Sequence, residues 1–297
     1  MDDNFVIGVD VGGSHICSAV VDIEKGVLCT EPVTTPVDSS ANALPVVSAW
    51  AGNVLGTMSV FDGEVNRVGF AFPGPFDYDR GISLISGVGK YAGVYGLDVR
   101  ETLGSFIALK SRRPVMRYVN DASAFALGES LYGAAAGSER VLAVTLGTGF
   151  GSGFVAGGEL IVDSPEVPEH GWVYHLPFEG GIADDAFSTR WIVKRYFELT
   201  GKKVAGAKQV AEVYEQEEPA RTLFREYGER LASFLAPVLT RFGGDTLVIG
   251  GNISLAYPYF SAPLVEGLER LGCNVDVRTS SLLDRAAMLG AASLLRK

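Results

Sequence analysis

Residues 5–22 read FVIGVDVGGSHICSAVVD, and their pattern decides the fold class. Residues 5–11 form a short apolar, β-branched run, Gly12-Gly13 breaks it, and residues 16–23 resume the same character, which predicts strand, turn, strand. A glycine-rich turn between strands exposes backbone N–H groups with no Cβ to hold an anion away, so phosphate suits it; for one such turn alone, an ordinary hairpin is the competing reading. A second copy strengthens the phosphate reading. Leu142-Ala143-Val144-Thr145-Leu146-Gly147 lines up with Ile7-Gly8-Val9-Asp10-Val11-Gly12, enters Gly147-Thr148-Gly149 and leaves again as a strand. Two copies predict two related halves. Neither turn reads GxxxxGK[ST] or lies in a strand, GxGxxG, helix order, which excludes the P-loop and dinucleotide folds.

Outward from these turns, strand and helix patterns alternate. Residues 39–58 have helical length, and a strand over 65–72 ends in the rigid turn Pro73-Gly74-Pro75. Asp98 with Glu101 is a capping-box start for a helix to about residue 110. A strand over 114–119 runs directly into Asn120-Asp121, and a helix follows to Tyr132. Helical patterns over 185–199 and 220–242, a strand over 246–249 before Gly250-Gly251, and a closing helix from Asp284 complete the pass. The prediction is an α/β fold, each half a sheet covered by helices, divided near Val119, with ligands in the cleft where the halves meet.

Each candidate site residue has two readings. Asp10, at the end of the first strand, can hold Mg²⁺ through water or merely cap the turn after it. Asn120-Asp121 can cap a helix, as Asn and Asp do best, or present a carboxylate to a hydroxyl that loses its proton while attacking a γ-phosphate. One residue can do both. Glu169 and His170 lie on a loop bounded by Pro165 and Pro168, either plain surface or a contact for sugar hydroxyls. His15, His170 and His175 lack partners at ligand spacing, so no metal site is expected. Trp191, Ile192 and Tyr196 fall at helical spacing and read as core.

Composition narrows the classes. With 297 residues, 47% of them apolar, the chain supports two ordinary cores and reads as a compact enzyme. A net charge of -10 and scattered Lys and Arg leave no basic field for nucleic acid. Met1-Asp2-Asp3-Asn4 is acidic and runs straight into a strand, and no apolar run reaches the roughly 18 residues of a membrane span, so a cytoplasmic protein without membrane contact is expected. Cys17, Cys29 and Cys273 are odd in number and unpaired in spacing, and read as reduced thiols.

Taken together, these segments resemble the ROK family of bacterial sugar kinases and repressors, within the sugar kinase, heat-shock chaperone and actin superfamily, and the resemblance covers nearly the whole chain. The stretch from Ile7 to Ser14 resembles the family's first phosphate segment, and Leu146 to Gly151 its second. Phe72-Pro73-Gly74-Pro75 is similar to its substrate-side turn, Asn120-Asp121-Ala122-Ser123-Ala124 to its sugar and catalytic motif, Gly250-Gly251-Asn252 to its adenosine turn, and Leu289-Gly290-Ala291-Ala292 to its C-terminal helix.

The resemblance implies two actin-like (ribonuclease H-like) domains with a cleft between them: 1–118, with the closing helix 284–297 packed back on it, and 119–283. It implies a kinase moving the γ-phosphate of ATP, with Mg²⁺, to a hydroxyl of glucose or an N-acetylhexosamine, and a homodimer as assembly. By resemblance Asp121 is the general base, and Gly74, Asn120, Glu169 and Asp184 meet the sugar. Asp10, Gly12, Gly13, Ser14, Gly147, Thr148, Gly149, Gly250 and Gly251 serve the nucleotide. Three departures stand out. Trp172 replaces the His of the family's Glu-x-Gly-His, the Cys-rich zinc segment expected before Asp184 is absent, and His15 stands where Lys is common. The second departure resembles zinc-free polyphosphate-dependent glucokinases, which makes polyphosphate an alternative donor; a non-catalytic sugar sensor without a DNA-reading domain is the rival from another class.

Overall fold

The computed structural model describes residues 4–87 and 89–296; the acidic start at 1–3 lies outside them. The chain forms two compact units, Met1–Tyr132 with Asp284–Lys297, and Gly133–Leu283. The division therefore falls after Tyr132 and not near Val119 as expected. The physical reason is the helix Asp121–Tyr132, whose Gly128 lies so close to the C-terminal helix that a Cβ there would stand 2.1 Å from the carbonyl oxygen of Ala286.

In the first unit, the strands Phe5–Val11 and His15–Asp22 form the expected hairpin, and Val27–Leu28 and Val33–Pro36 both pair with its second strand. On the other side Phe5–Val11 runs parallel to Arg67–Phe72, which runs parallel to Val115–Asn120. One face carries a core of Trp50, Phe70, Phe72, Tyr91 and Tyr118. The helix Ala43–Val60 closes that face and is, among the described residues, long and apolar enough by composition to cross a bilayer. Its buried Asn53 and Thr57 show what it does here: Ser18 Oγ lies 2.6 Å from both side chains, and Asn53 Nδ2 donates to Val33 O at 2.8 Å. A buried polar network with its partners in place fixes the helix against the sheet in one register.

The other face is covered by the C-terminal helix Ala286–Ser293, whose residues are mostly Ala and Gly. A Cβ on Gly8 would meet Met288 O at 2.1 Å, and one on Gly69 would meet Ala291 O at 1.9 Å. Glycine at these strand positions lets helix backbone rest directly on sheet backbone.

The second unit repeats the plan. Arg140–Leu146 and Phe150–Ala156 form a hairpin edged by Glu159–Leu160, and Arg140–Leu146 is parallel to Thr246–Gly250, itself parallel to Asp276–Thr279. Its core holds Phe154, Phe187, Phe224, Tyr227, Phe242 and Phe260. The helix expected over 185–199 is two, Ala183–Phe187 and Thr189–Thr200, broken at Ser188, whose ψ of 171 is extended.

Candidate active site

The parallel strands of the first unit end side by side. Asp10 pairs with Ala71, Ala71 with Val119, and Phe72 with Asn120, so Asp10, the Pro73-Gly74-Pro75 turn and Asn120-Asp121 all emerge at one sheet edge. That carboxyl end of parallel strands is where α/β sheets bind ligands. Asn120 caps the following helix, its Oδ1 accepting from the N–H groups of Ala122 at 3.1 Å and Ser123 at 3.3 Å. Its Nδ2 is left to donate to Tyr78 Oη at 3.3 Å, and a Cβ on Gly74 would lie 3.2 Å from that same hydroxyl. Tyr78 thus joins Gly74 to Asn120, a link that sequence spacing did not signal.

Asp121 keeps some exposed surface, but its carboxyl lies among protein atoms and Oδ1 accepts from Ala122 N at 2.9 Å. Loss of water raises its pKa above the ordinary carboxylate value, against the lowering effects of that hydrogen bond and of Lys90. Asp10 is raised to about 7, first by burial and then by the negative charges of Asp121 and Asp284, with Lys90 opposing them. Two carboxyls with elevated pKa thus stand at the same end of the sheet, on strands separated by Arg67–Phe72, a pattern that functional sites favour.

In each glycine-rich turn the first glycine's N–H is bonded back within the turn and most carbonyls are engaged, while among the described residues the two amides that follow are left free. Gly12 N donates to His15 O at 2.9 Å, Tyr91 Oη donates to Gly12 O at 2.5 Å, and Val37 N donates to Ser14 O at 2.9 Å. In the second unit Gly147 N donates to Gly149 O at 3.0 Å, while Thr189 donates twice to Gly147 O, from N at 2.8 Å and Oγ1 at 2.9 Å. Arg190 Nη1 donates to Thr148 O at 3.0 Å. Among the described residues the N–H groups of Gly13, Ser14, Thr148 and Gly149 have no protein partner. Such rows of free amides form anion-binding nests. The break at Ser188 explains itself here: a continuous helix would have directed Thr189 N–H into its own turn instead of onto Gly147.

Gly250 lies beside Thr145 at the end of its strand, and Gly251 follows with φ 79. A Cβ on Gly251 would stand 2.4 Å from Leu146 O, so only glycine fits there. Asp184, expected as a sugar contact, is bonded within the second unit: Oδ1 accepts from Phe150 N at 2.7 Å and Oδ2 pairs with Arg190. Its carboxylate braces the second turn. Glu169 stands on the short turn Glu169–Gly171 with 81% of its side chain exposed, and Ser152 Oγ ties that turn to the sheet by donating to Gly171 O at 2.7 Å. Trp172 follows, its ring 4.8 Å from that of His170. Among the described residues no three metal-ligating side chains gather at one point.

Known proteins share this plan. A glucokinase from Thermotoga maritima is 27% identical over 98% of this chain and 97% of its own length. An N-acetyl-D-glucosamine kinase from Haemophilus influenzae is 26% identical over 97% of this chain and 98% of its own. Among solved structures, a ROK family glucokinase from Streptomyces griseus in complex with glucose and AMPPNP superposes with a TM-score of 0.75 at 23% identity, covering 98% of each chain. The two-unit α/β fold is the one this glucokinase structure shows. The profile of the ROK family matches residues 6–297, and the chain belongs to that family.

Proposed function

We propose that the protein is an ATP-dependent hexose kinase in which Asp121 is the general base. The observation that carries this reading is the place of Asp121: just past the end of a parallel strand, next to Asn120 and at the same sheet end as Asp10, with its carboxyl withdrawn from water. A carboxylate of raised pKa accepts a proton more readily. As the sugar oxygen bonds to the γ-phosphorus, the bond from phosphorus to the β–γ bridging oxygen breaks, ADP departs, and the hydroxyl proton passes to Asp121. Asn120 and Gly74 serve the sugar on the same sheet edge, with Glu169 as a further hydroxyl contact. The free amides of the two turns serve the phosphates, and Gly250-Gly251 the adenosine. Mg²⁺, when bound with ATP, neutralises phosphate charge, and Asp10 is the carboxylate that would meet it through water.

The names of the relatives support a hexose as the acceptor, glucose and N-acetylglucosamine both being represented. The test is ADP release with glucose and N-acetylhexosamines, with polyphosphate as the alternative donor. Wild-type protein should turn over at least one sugar, and Asp121→Asn should lose roughly 10²–10⁴-fold in kcat with little change in sugar affinity. Equal rates for the two proteins would remove Asp121 from the chemistry; sugar binding without turnover by any donor would make the protein a sensor.

A further inference from the structure

By the family resemblance His15 stands where Lys is common, and the exposed histidine lies beside its own turn. Its ring folds back over the turn: a Cβ on Gly12 would lie 3.5 Å from His15 Cε1, and His15 Nδ1 lies 3.2 Å from Ser14 Oγ. Meanwhile Asp10 and Asp121 stand at the same edge, with Asp284 acting on Asp10. A phosphate chain arriving there meets negative charge, and backbone amides alone offset it poorly.

A lysine from elsewhere in the chain lies along this turn. A Cβ on Gly13 would lie 3.5 Å from Lys90 Cδ, so the aliphatic stem of Lys90 runs along the turn. Its position is imposed by the next residue. Tyr91 is fully buried at φ 57, donates N–H to Ser39 O at 2.7 Å and its hydroxyl to Gly12 O at 2.5 Å, and packs its ring 5.4 Å from that of Trp50. A non-glycine residue in that backbone region persists only where its surroundings hold it, and here they fix the lysine before it. Lys90 acts electrostatically on both Asp10 and Asp121. It makes no ion pair within 4.0 Å among the described residues, so its charge is uncommitted.

We propose that Lys90 is the phosphate-binding cation of the first turn, its ammonium donating to the phosphoryl group alongside the amides of Gly13 and Ser14. The proposal rests on the kinase reading for the reaction, but the anion site stands on the first unit alone. Lys90 replaces in space what His15 removes in sequence, and it has a second effect: it faces Asp121 together with Asp10, and so favours the ionised, proton-accepting form of the base.

The experiment uses the full chain as wild type, Lys90→Met and Lys90→Arg, with three readouts: calorimetric binding of tripolyphosphate with Mg²⁺, sugar affinity, and the pH profile of kcat with MgATP. Lys90→Met should weaken tripolyphosphate by about tenfold or more and lower kcat by about 10²-fold, as loss of a charge-assisted contact to a transferring phosphoryl group does, while Lys90→Arg keeps most of both. Sugar affinity should not move. The acid limb of the kcat profile should shift to higher pH in Lys90→Met, which loss of mere loop structure would not produce. Tripolyphosphate affinity within about twofold of wild type in Lys90→Met, or no binding by wild type, overturns the proposal. If wild type turns over no sugar yet Lys90→Met still loses tripolyphosphate, the kinase reading fails and the anion site remains; normal turnover by Lys90→Met leaves the kinase and removes the lysine.

Discussion

At the scale of single residues, the elevated pKa of Asp10 is a stability cost. The folded chain holds this proton to about pH 7, whereas an ordinary Asp releases it near 3.8. Between those values the folded state binds more protons than the unfolded state, so the contribution of this group to stability falls as pH rises through that window and stays lost above it. Each tenfold difference in proton affinity between the two states is worth about 1.4 kcal/mol. Asp10→Asn, which cannot ionise, should therefore raise stability at pH 8 by roughly 2–4 kcal/mol, and by almost nothing at pH 4. Urea melts of both proteins across that range test this; a gain that is equal at both pH values would mean that burial of charge is not its source. The pair Asn120-Asp121 was legible from sequence because a strand ran straight into it. Tyr78, Lys90 and Tyr91 were not, because their meaning lies in what distant backbone they touch. Asp184 entered only through the family resemblance, which gave no sign that Phe150 N–H and Arg190 would claim both of its oxygens.

At the scale of elements, the C-terminal helix shows how the fold substitutes close approach for side-chain bulk. Gly290 faces the helix Asp121–Tyr132 so closely that a Cβ would stand 1.8 Å from Ala124 O. Relief requires the two helices to part, which displaces the element that begins with Asp121. Gly290→Ala should cost about 3 kcal/mol or more, at the upper end of overpacking penalties. Gly52→Ala is the matched control: it lies in the helix Ala43–Val60 with nothing within 4 Å of its Cβ position, and should stabilise by about 0.5–1 kcal/mol. Denaturant midpoints that moved alike for the two variants would contradict the packing argument. The strand, glycine turn, strand units were readable because alternation of β-branched residues and glycine is a local signal. The helix Tyr257–Arg270 was not, since Pro258 and Pro263 interrupt its pattern, although the first lies in the first turn where no N–H is needed. The edge strand Asp276–Thr279 escaped for a similar reason: two of its four residues are charged, as suits a strand at the rim of a sheet.

At the scale of the molecule, the two sheets share one order: an edge strand, the two hairpin strands, then two parallel strands. The echo between residues 7–12 and 142–147 was the visible trace of that repetition; the rest was hidden because the halves keep topology while their helices diverge. The chain path has an energetic consequence. The first unit is built from two separated pieces, whereas Gly133–Leu283 is continuous. Residues 133–283 expressed alone hold their whole hydrophobic core and should unfold cooperatively. A chain ending at 283 lacks the helix Ala286–Ser293, which leaves the backbone at Gly8 and Gly69 uncovered on one face of the first sheet. That sheet should then fail to protect its amides, so hydrogen exchange of the 1–283 protein should show slow exchange in Arg140–Leu146 and Thr246–Gly250 but fast exchange in Phe5–Val11 and Arg67–Phe72. Addition of a peptide of residues 284–297 should restore protection to the first unit, because the contact surface it needs is backbone rather than a set of side chains that must repack. Full protection of both sheets without those residues would show that the helix is an accessory and not half of the first core.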